Sequence, residues 1–305
     1  MNVVFLGTPE FSVNVLNSIY NSSHEIVGVV TQPDRKVGRK GIITPCQVKV
    51  QAMNLNLPVF SFEKISTDGV DLLKSLNADI FVTCAYGQIL SQQILDIAPK
   101  GVINVHASLL PKYRGSSPIQ WSIINGDKTT GVTIMKTALG VDTGDIILQE
   151  ELSINGCYVD ELFSRLSTLG ASLIVKALDL IESGTETYTK QDDTKAVHVK
   201  MISKNDGLID FSKSAIEIVN LVKGLSVWPT AFTFYEGKML KIYKASAIEG
   251  KANLGEVVVS DAKKGLIIGT SDGLVLVEEV QLEGSKKMPI KDFLLGKKIQ
   301  VGYRF

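Results

Sequence analysis

Residues 102–120 read VINVHASLLPKYRGSSPIQ. The opening VINVH is a short apolar run carrying Asn104 and His106, and Pro111 and Gly115 then mark an irregular exit. A brief apolar strand that runs into a loop suits a sheet buried on both faces, which is the habit of parallel α/β sheets. Residues two apart on a strand point to the same face, so Asn104 and His106 share one. They lie at the strand's carboxyl end, where open α/β sheets bind their ligands.

The same texture recurs outward from this stretch. Asn2 to Leu6 reads as a strand, and Glu10 to Tyr20 as a helix with Phe11, Val15, Leu16 and Ile19 on one face. Thr8-Pro9 offers that helix an N-cap and a first-turn proline. Glu25–Thr31, Asp79–Thr83 and Gly131–Lys136 are further short apolar strands, with a helix over Ser66–Leu76 between them. Asp160–Ile181 carries a long amphipathic helix. Thr185–Lys195 is polar and has no apolar period, so the first domain is placed at 1–189 and a linker at 190–205. A helix over Lys213–Leu225 follows, and beyond Trp228-Pro229 the chain turns to β. Glu236-Gly237-Lys238 is a hairpin turn, and the short strands Glu256–Ser260, Leu266–Thr270 and Leu274–Val280 imply a small closed barrel over 206–305.

Bulk properties remove several classes. In 305 residues, 45% are hydrophobic and 21% charged, a globular composition that excludes disorder and collagen. Lys+Arg and Asp+Glu are 32 each, so a globally basic nucleic-acid coat is excluded while a local patch is not. Cys46, Cys84 and Cys157 cannot build a disulfide framework, and the amino end, MNVVFLGTPEF, has no basic region and only a four-residue apolar run, so a reducing, cytoplasmic location is expected. No apolar stretch reaches membrane-spanning length, so no membrane association is expected. His24, His106 and His198 lie far apart, so no metal site is expected. There is no P-loop, no G-x-G-x-x-G and no G-x-S-x-G.

The residue types at 104, 106 and 142 suggest chemistry. An Asn amide donates hydrogen bonds without titrating, and His is the side chain that titrates near neutrality; together they suit an oxyanion donor beside a general acid or base. Asp142 stands between Gly140 and Gly144, where a carboxylate could orient the imidazole. Read alone, the same residues also fit a capping Asn, a backbone-satisfied His and an Asx-turn Asp. Gln32–Thr44 (QPDRKVGRKGIIT) interrupts the α/β pattern with four basic residues in a long loop, a place where function often sits.

Asn104-Val105-His106-Ala107-Ser108-Leu109-Leu110-Pro111 together with Gly140-Val141-Asp142-Thr143-Gly144-Asp145 resembles the signature of the folate-dependent formyltransferases. Phe5-Leu6-Gly7-Thr8-Pro9-Glu10-Phe11, Thr31-Gln32-Pro33-Asp34-Arg35, Ala85-Tyr86-Gly87, Pro111-Lys112-Tyr113-Arg114-Gly115, Ser117 to Gln120 and Trp228-Pro229 extend it along nearly the whole chain, toward the branch that formylates methionyl initiator tRNA. The resemblance implies an α/β fold with a Rossmann-like, mostly parallel sheet, followed by a C-terminal OB-like β-barrel that binds tRNA. It implies 10-formyltetrahydrofolate as formyl donor and initiator methionyl-tRNA as acceptor; with the histidines far apart no metal is expected, and no protein partner is evident in the sequence. It makes Asn104, His106 and Asp142 the catalytic set. Ser108, Leu109, Leu110, Pro111, Tyr86, Gly87 and Val141 become folate contacts, and Arg35, Lys36, Arg39 and Lys40 tRNA contacts. A relative acting on an amino sugar or a purine precursor would share the catalytic three; the barrel and the basic loop argue for tRNA.

Overall fold

The computed structural model describes residues 1–38 and 41–305, with the backbone alone at Val37. In chain order the elements of the first half are β1 (Asn2–Gly7), α1 (Phe11–Tyr20), β2 (Glu25–Thr31), β3 (Arg35–Val37), β4 (Ile42–Thr44), α2 (Gln47–Asn54), β5 (Val59–Ser61), α3 (Ile65–Asp68), α4 (Val70–Ser75), β6 (Ile80–Cys84), α5 (Gln92–Leu95) and β7 (Val102–His106). Then come β8 (Arg114–Gly115), α6 (Pro118–Ile124), β9 (Thr129–Lys136), β10 (Ile146–Ser153), α7 (Val159–Ser183), β11 (His198–Val199) and α8 (Ala215–Gly224). The remainder is β12 (Ala231–Tyr235), β13 (Lys238–Ile248), β14 (Val257–Asp261), β15 (Gly265–Gly269), β16 (Leu274–Leu282), β17 (Met288–Pro289) and α9 (Ile290–Gly296).

Contacts divide the chain into two compact units. One comprises 1–115, 130–153 and 163–199; the other comprises 116–129, 154–162 and 200–305. Residues 185–199, read from sequence as mostly linker, therefore pack within the first unit, whereas 116–129 and 154–162, read as part of the first domain, pack within the second.

The first unit is built on a sheet of order β10-β9-β7-β6-β1-β2-β5. β1 pairs in parallel with both β2 and β6, and β6 in parallel with β7. From β1 the chain first builds outward through β2 and β5, then returns to place β6 and β7 on the other side. The switch point falls between β1 and β6, and Gly7, Cys84 and His106 end their strands on that side. The apolar runs read as central strands are fully covered: Val3, Val4, Phe5 and Leu6, and Ile80, Phe81 and Val82, have no exposed surface.

Several local expectations change. β9 runs antiparallel to β7, with Thr133 opposite His106 and Lys136 opposite Ile103. Periodicity reports burial, and it carries no information on the direction of a strand's partner. Thr8 does not cap α1; its hydroxyl donates to the Tyr86 carbonyl at 2.9 Å, and Glu10 occupies the cap without a side-chain bond. The helix read over 66–76 is two, separated by Gly69. Within the basic 32–44 stretch, Arg35–Val37 pairs antiparallel with Ile42–Thr44.

In the second unit an antiparallel sheet runs β12-β13-β16-β15-β14, with β17 on β16. Glu236 (φ 48°) and Gly237 (φ 74°) join β12 to β13, the left-handed pair of a type I′ hairpin. Register shifts at Ile242/Lys244 and Lys244/Ala245 bend the long β13, as bulges do where sheets curl. One core collects Leu240, Ile242, Val257, Leu266, Ile268, Val275, Val277 and Val280 from the sheet with Ile218 and Val222 of α8 and Phe293 of α9. Ser214 and Glu217 close a reciprocal capping box on α8. The α6 helix belongs to this unit, and a Cβ on Gly224 would lie 2.7 Å from Ile124 Cγ1. Among the described residues no helix is long and apolar enough to cross a membrane.

Candidate active site

Asn104 sits opposite Thr83 on the neighbouring parallel strand. The Thr83 hydroxyl donates to Asn104 Oδ1 at 2.8 Å, which commits the amide oxygen and turns the Nδ2 hydrogens away as free donors. His106, two residues on, is buried on the same face. Its Nε2 lies 2.9 Å from the Tyr113 carbonyl oxygen. A carbonyl has no proton to give, so Nε2 carries the hydrogen and Nδ1 is the nitrogen left for chemistry. Asp142 Oδ2 stands 3.6 Å from that Nδ1 and accepts the Gly115 N–H at 2.8 Å.

The three residues meet although their strands predict otherwise. Because β9 is antiparallel, the loop after it starts at the amino end of β7, where the Thr137 N–H donates to the Val102 carbonyl at 2.8 Å. The loop must run back along the sheet to bring Asp142 to His106. Residues 138–141 are exposed on the way, and Gly144 is the buried one, pressed so closely on the Lys136 carbonyl that a Cβ would overlap it. Polar ties hold it instead of apolar packing. The Gln191 amide nitrogen donates to the carbonyls of Asp142 (2.8 Å) and Gly144 (2.7 Å), and its oxygen accepts from Arg114 Nε at 2.9 Å. Arg114 is 3% exposed and also binds Asp193 at 2.7 Å. Sequence reading missed Gln191, because nothing in a polar, aperiodic stretch announces a partner 77 residues away.

Backbone strain marks the same loops. Ala85 (φ 47°), Tyr113 (φ 64°) and Asp142 (φ 52°) are all left-handed without being glycine, a state that costs roughly 1–3 kcal/mol and persists where neighbours enforce it. The Tyr113 twist turns its carbonyl onto His106.

The expected folate loop is rigidly held. The Thr133 hydroxyl donates to the Ser108 carbonyl (2.6 Å) and accepts from the Leu110 N–H (3.2 Å), while Gln149 Nε2 donates to the Leu110 carbonyl at 3.0 Å. The Ser108 hydroxyl is spent inside the loop, on the Lys112 carbonyl at 2.6 Å. Leu109 is half-buried, and the Pro111 carbonyl accepts from the Val197 N–H. Tyr86 buries its ring in the core with Val4, Leu6 and Val30; burial pushes its phenol up to about 12, and among the described residues the phenol oxygen has no hydrogen-bond partner. Gly87 follows at φ 89°, and Val141 is 57% exposed. Cys84, at the end of β6, is raised to about 12 by burial, which leaves its thiol protonated and unreactive.

Residues 1–178 match the formyl transferase family, and residues 201–298 match the formyl transferase C-terminal domain. The chain belongs to the formyl transferase family. Its relatives place it more narrowly. The methionyl-tRNA formyltransferase of Alkaliphilus oremlandii is 43% identical over 99% of this chain and 98% of its own length. That of Geotalea daltonii is 42% identical over 99% and 97%. Among solved structures, the methionyl-tRNA formyltransferase from Clostridium thermocellum aligns at TM-score 0.58 and 17% identity over 92% of this chain and 98% of its own. The N-formyltransferase from Helicobacter canadensis, in complex with folinic acid and dTDP-3-aminofucose, aligns at TM-score 0.69 and 20% identity, covering 94% and 99%. These last two establish the shared fold.

In this formyl transferase the basic segment is partly described. Arg35 and Lys36 are exposed on β3, with Arg35 Nη2 3.4 Å from Gln32 Oε1; Arg39 and Lys40 lie outside the described residues. The exposed Ile42 and Ile43 on β4 add an apolar edge to it. His24, Asp179 and Glu182 offer ligand atoms within 4.8 Å of one another at the amino ends of β1 and β2, away from His106. They already serve each other and the terminal amine, which binds Glu182 at 2.9 Å.

Proposed function

We propose that this formyl transferase moves the formyl group of 10-formyltetrahydrofolate to the free amino group of methionine on initiator tRNA, with Asn104, His106 and Asp142 as the reacting set. The observation that carries the reading is their convergence: a fixed amide donor, an imidazole with one uncommitted nitrogen, and a carboxylate facing that nitrogen. Family membership and the tRNA-formylating relatives supply the substrates.

The acceptor nitrogen attacks the formyl carbon, and the carbonyl oxygen gains negative charge. Asn104 Nδ2, kept outward by Thr83, donates to that oxygen, and a preorganised donor of this kind costs no reorientation when the charge appears. The amine must lose a proton as its new C–N bond forms. His106 Nδ1 accepts it, since Nε2 is committed to Tyr113, and the Asp142 carboxylate offsets the imidazolium charge. The bond from the formyl carbon to the folate nitrogen then breaks, and the proton passes to that nitrogen. The folate lies against the Leu109–Pro111 loop, with Gly87 and Val141 lining the approach. Arg35, Lys36, Arg39 and Lys40 contact the tRNA acceptor arm, where guanidinium and ammonium groups meet phosphates.

The test is formyl transfer by purified protein with 10-formyltetrahydrofolate and charged methionyl initiator tRNA, with elongator methionyl-tRNA alongside. Transfer to the initiator is expected. Asn104→Ala should slow it ~10²–10³-fold and His106→Ala ~10²–10⁴-fold while the protein stays folded. Near-normal turnover in folded His106→Ala refutes the assignment, and transfer only to an amino sugar or purine precursor refutes the substrate.

A further inference from the structure

We infer that Gln191, in the strap of residues 184–199 that follows α7, is a positioning residue for formyl transfer, and that it acts by holding the Asp142 loop in its reactive conformation. The inference rests on the reading of Asp142 as part of the reacting set.

The loop needs such a holder. It crosses from the amino end of β7 toward the carboxyl end, and its residues 138–141 and 143 are exposed. No buried apolar side chain anchors it between Thr137 and Gly144. Asp142 itself sits at φ 52°, a conformation a free loop would leave readily. Two ties fix it. The Gly115 N–H takes the side chain through Oδ2, and Gln191 takes the backbone through the carbonyls of Asp142 and Gly144.

The orientation of the Gln191 amide follows from its partners. Its nitrogen faces two carbonyls, which only accept, and its oxygen faces the Arg114 guanidinium, which only donates. Both amide hydrogens are therefore used, and a flipped amide would lose all three bonds. Arg114 is buried beside Gly115, so the groups that hold the side chain and the backbone of Asp142 are linked. The strap is pinned in turn. Thr189 and Ile146 exchange backbone bonds at 2.8 and 2.9 Å, the Arg114 N–H donates to the Val197 carbonyl at 2.8 Å, and His198–Val199 pairs with Arg114–Gly115. Gly115 must stay glycine for this pairing, since it lies at φ 103° and a Cβ would overlap the Val199 carbonyl. One strap thus joins the loop that carries Asp142 to the loop that carries Tyr113, whose carbonyl holds the other side of His106.

The experiment is steady-state formyl transfer by full-length Gln191→Ala and Gln191→Glu with 10-formyltetrahydrofolate and methionyl initiator tRNA, each alone and combined with Asp142→Asn. Gln191→Glu keeps the size of the side chain and turns an oxygen toward two carbonyls, so it separates loss of donors from loss of packing. The expected result is a fall in kcat of about 10- to 100-fold, the scale of an ångström-level misplacement of a reacting group, with KM for each substrate within about threefold of the parent. On the Asp142→Asn background the same changes should cost little more, because the residue they position is already disabled. Equal losses on both backgrounds, a change confined to KM, or an unchanged kcat overturns the inference. If Asp142→Asn alone keeps full kcat, the reading of the site has failed instead, and the inference falls with it.

Discussion

Thr83 offers a sharp test of the proposed role of Asn104 as oxyanion donor. Thr83→Val keeps the shape and the β-branching of a buried strand residue and removes one hydroxyl. That hydroxyl bonds Asn104 Oδ1 at 2.8 Å and lies 3.2 Å from the Ile103 carbonyl; its single hydrogen goes to the shorter contact. A neutral hydrogen bond of this kind is worth about 1 kcal/mol net, which is a bias of roughly fivefold between the two orientations of the amide. Without it, Asn104 can present its oxygen where a donor is required, and Oδ1 is left without its partner. The expected fall in kcat is about two- to fivefold, the most that losing a fivefold bias allows, and well short of the ~10²–10³ for deleting the donor outright. KM for 10-formyltetrahydrofolate should hold within about twofold. The assay is single-turnover and steady-state formyl transfer on Thr83→Val, Thr83→Ser and Asn104→Ala, with denaturant melts to check folding. Thr83→Ser should restore most of the rate. Wild-type kcat in Thr83→Val, or equal losses in the valine and serine variants, would refute the reasoning.

Two further outcomes concern the frame of the molecule. Gly144→Ala forces a methyl into the Lys136 carbonyl, so it should destabilise the protein by more than about 2 kcal/mol in urea unfolding; a change under about 0.5 kcal/mol would mean the loop is not pressed on β9 as described. The Glu217 carboxyl is held below its usual range by hydrogen bonds from the Ser214 backbone and hydroxyl, so its cap stabilises the fold at pH above the ordinary glutamate value and the contribution is lost as pH falls through the lowered one. The stability difference between the parent and Glu217→Gln, measured by denaturant melts across pH 2 to 7, should therefore be largest near neutrality and vanish in acid; a difference that grows in acid has the wrong sign.

Much of this was legible in the residues, for identifiable reasons. Central strands of a buried sheet must be apolar throughout, so VVFL at 3–6 and IFV at 80–82 declare themselves. Asn104 and His106 could be placed together because a strand's period of two is strict. The direction of β9 was hidden, since burial is the same for a parallel or antiparallel neighbour. That hid the route by which Asp142 returns to His106. Thr8 looks like a cap in isolation, and its hydroxyl instead serves the Tyr86 carbonyl, a choice made by tertiary structure. Tyr86 was expected to meet the folate through its backbone, and its ring packs in the core. Gln191 was hidden because a polar residue's long-range partner leaves no periodic trace.

The alternation of the chain between its two units has a consequence for how the protein is made. Residues 116–129 leave the ribosome while the first unit is still incomplete, because that unit needs the chain as far as 199. The apolar Ile119 and Ile123 of α6 are buried in the finished protein, but α8, against which that helix packs, begins roughly 90 residues later. At ~5–20 residues per second that interval lasts about 5–20 s. A helix of newly made apolar surface must wait through it. Slower synthesis between 124 and 215 would lengthen that interval.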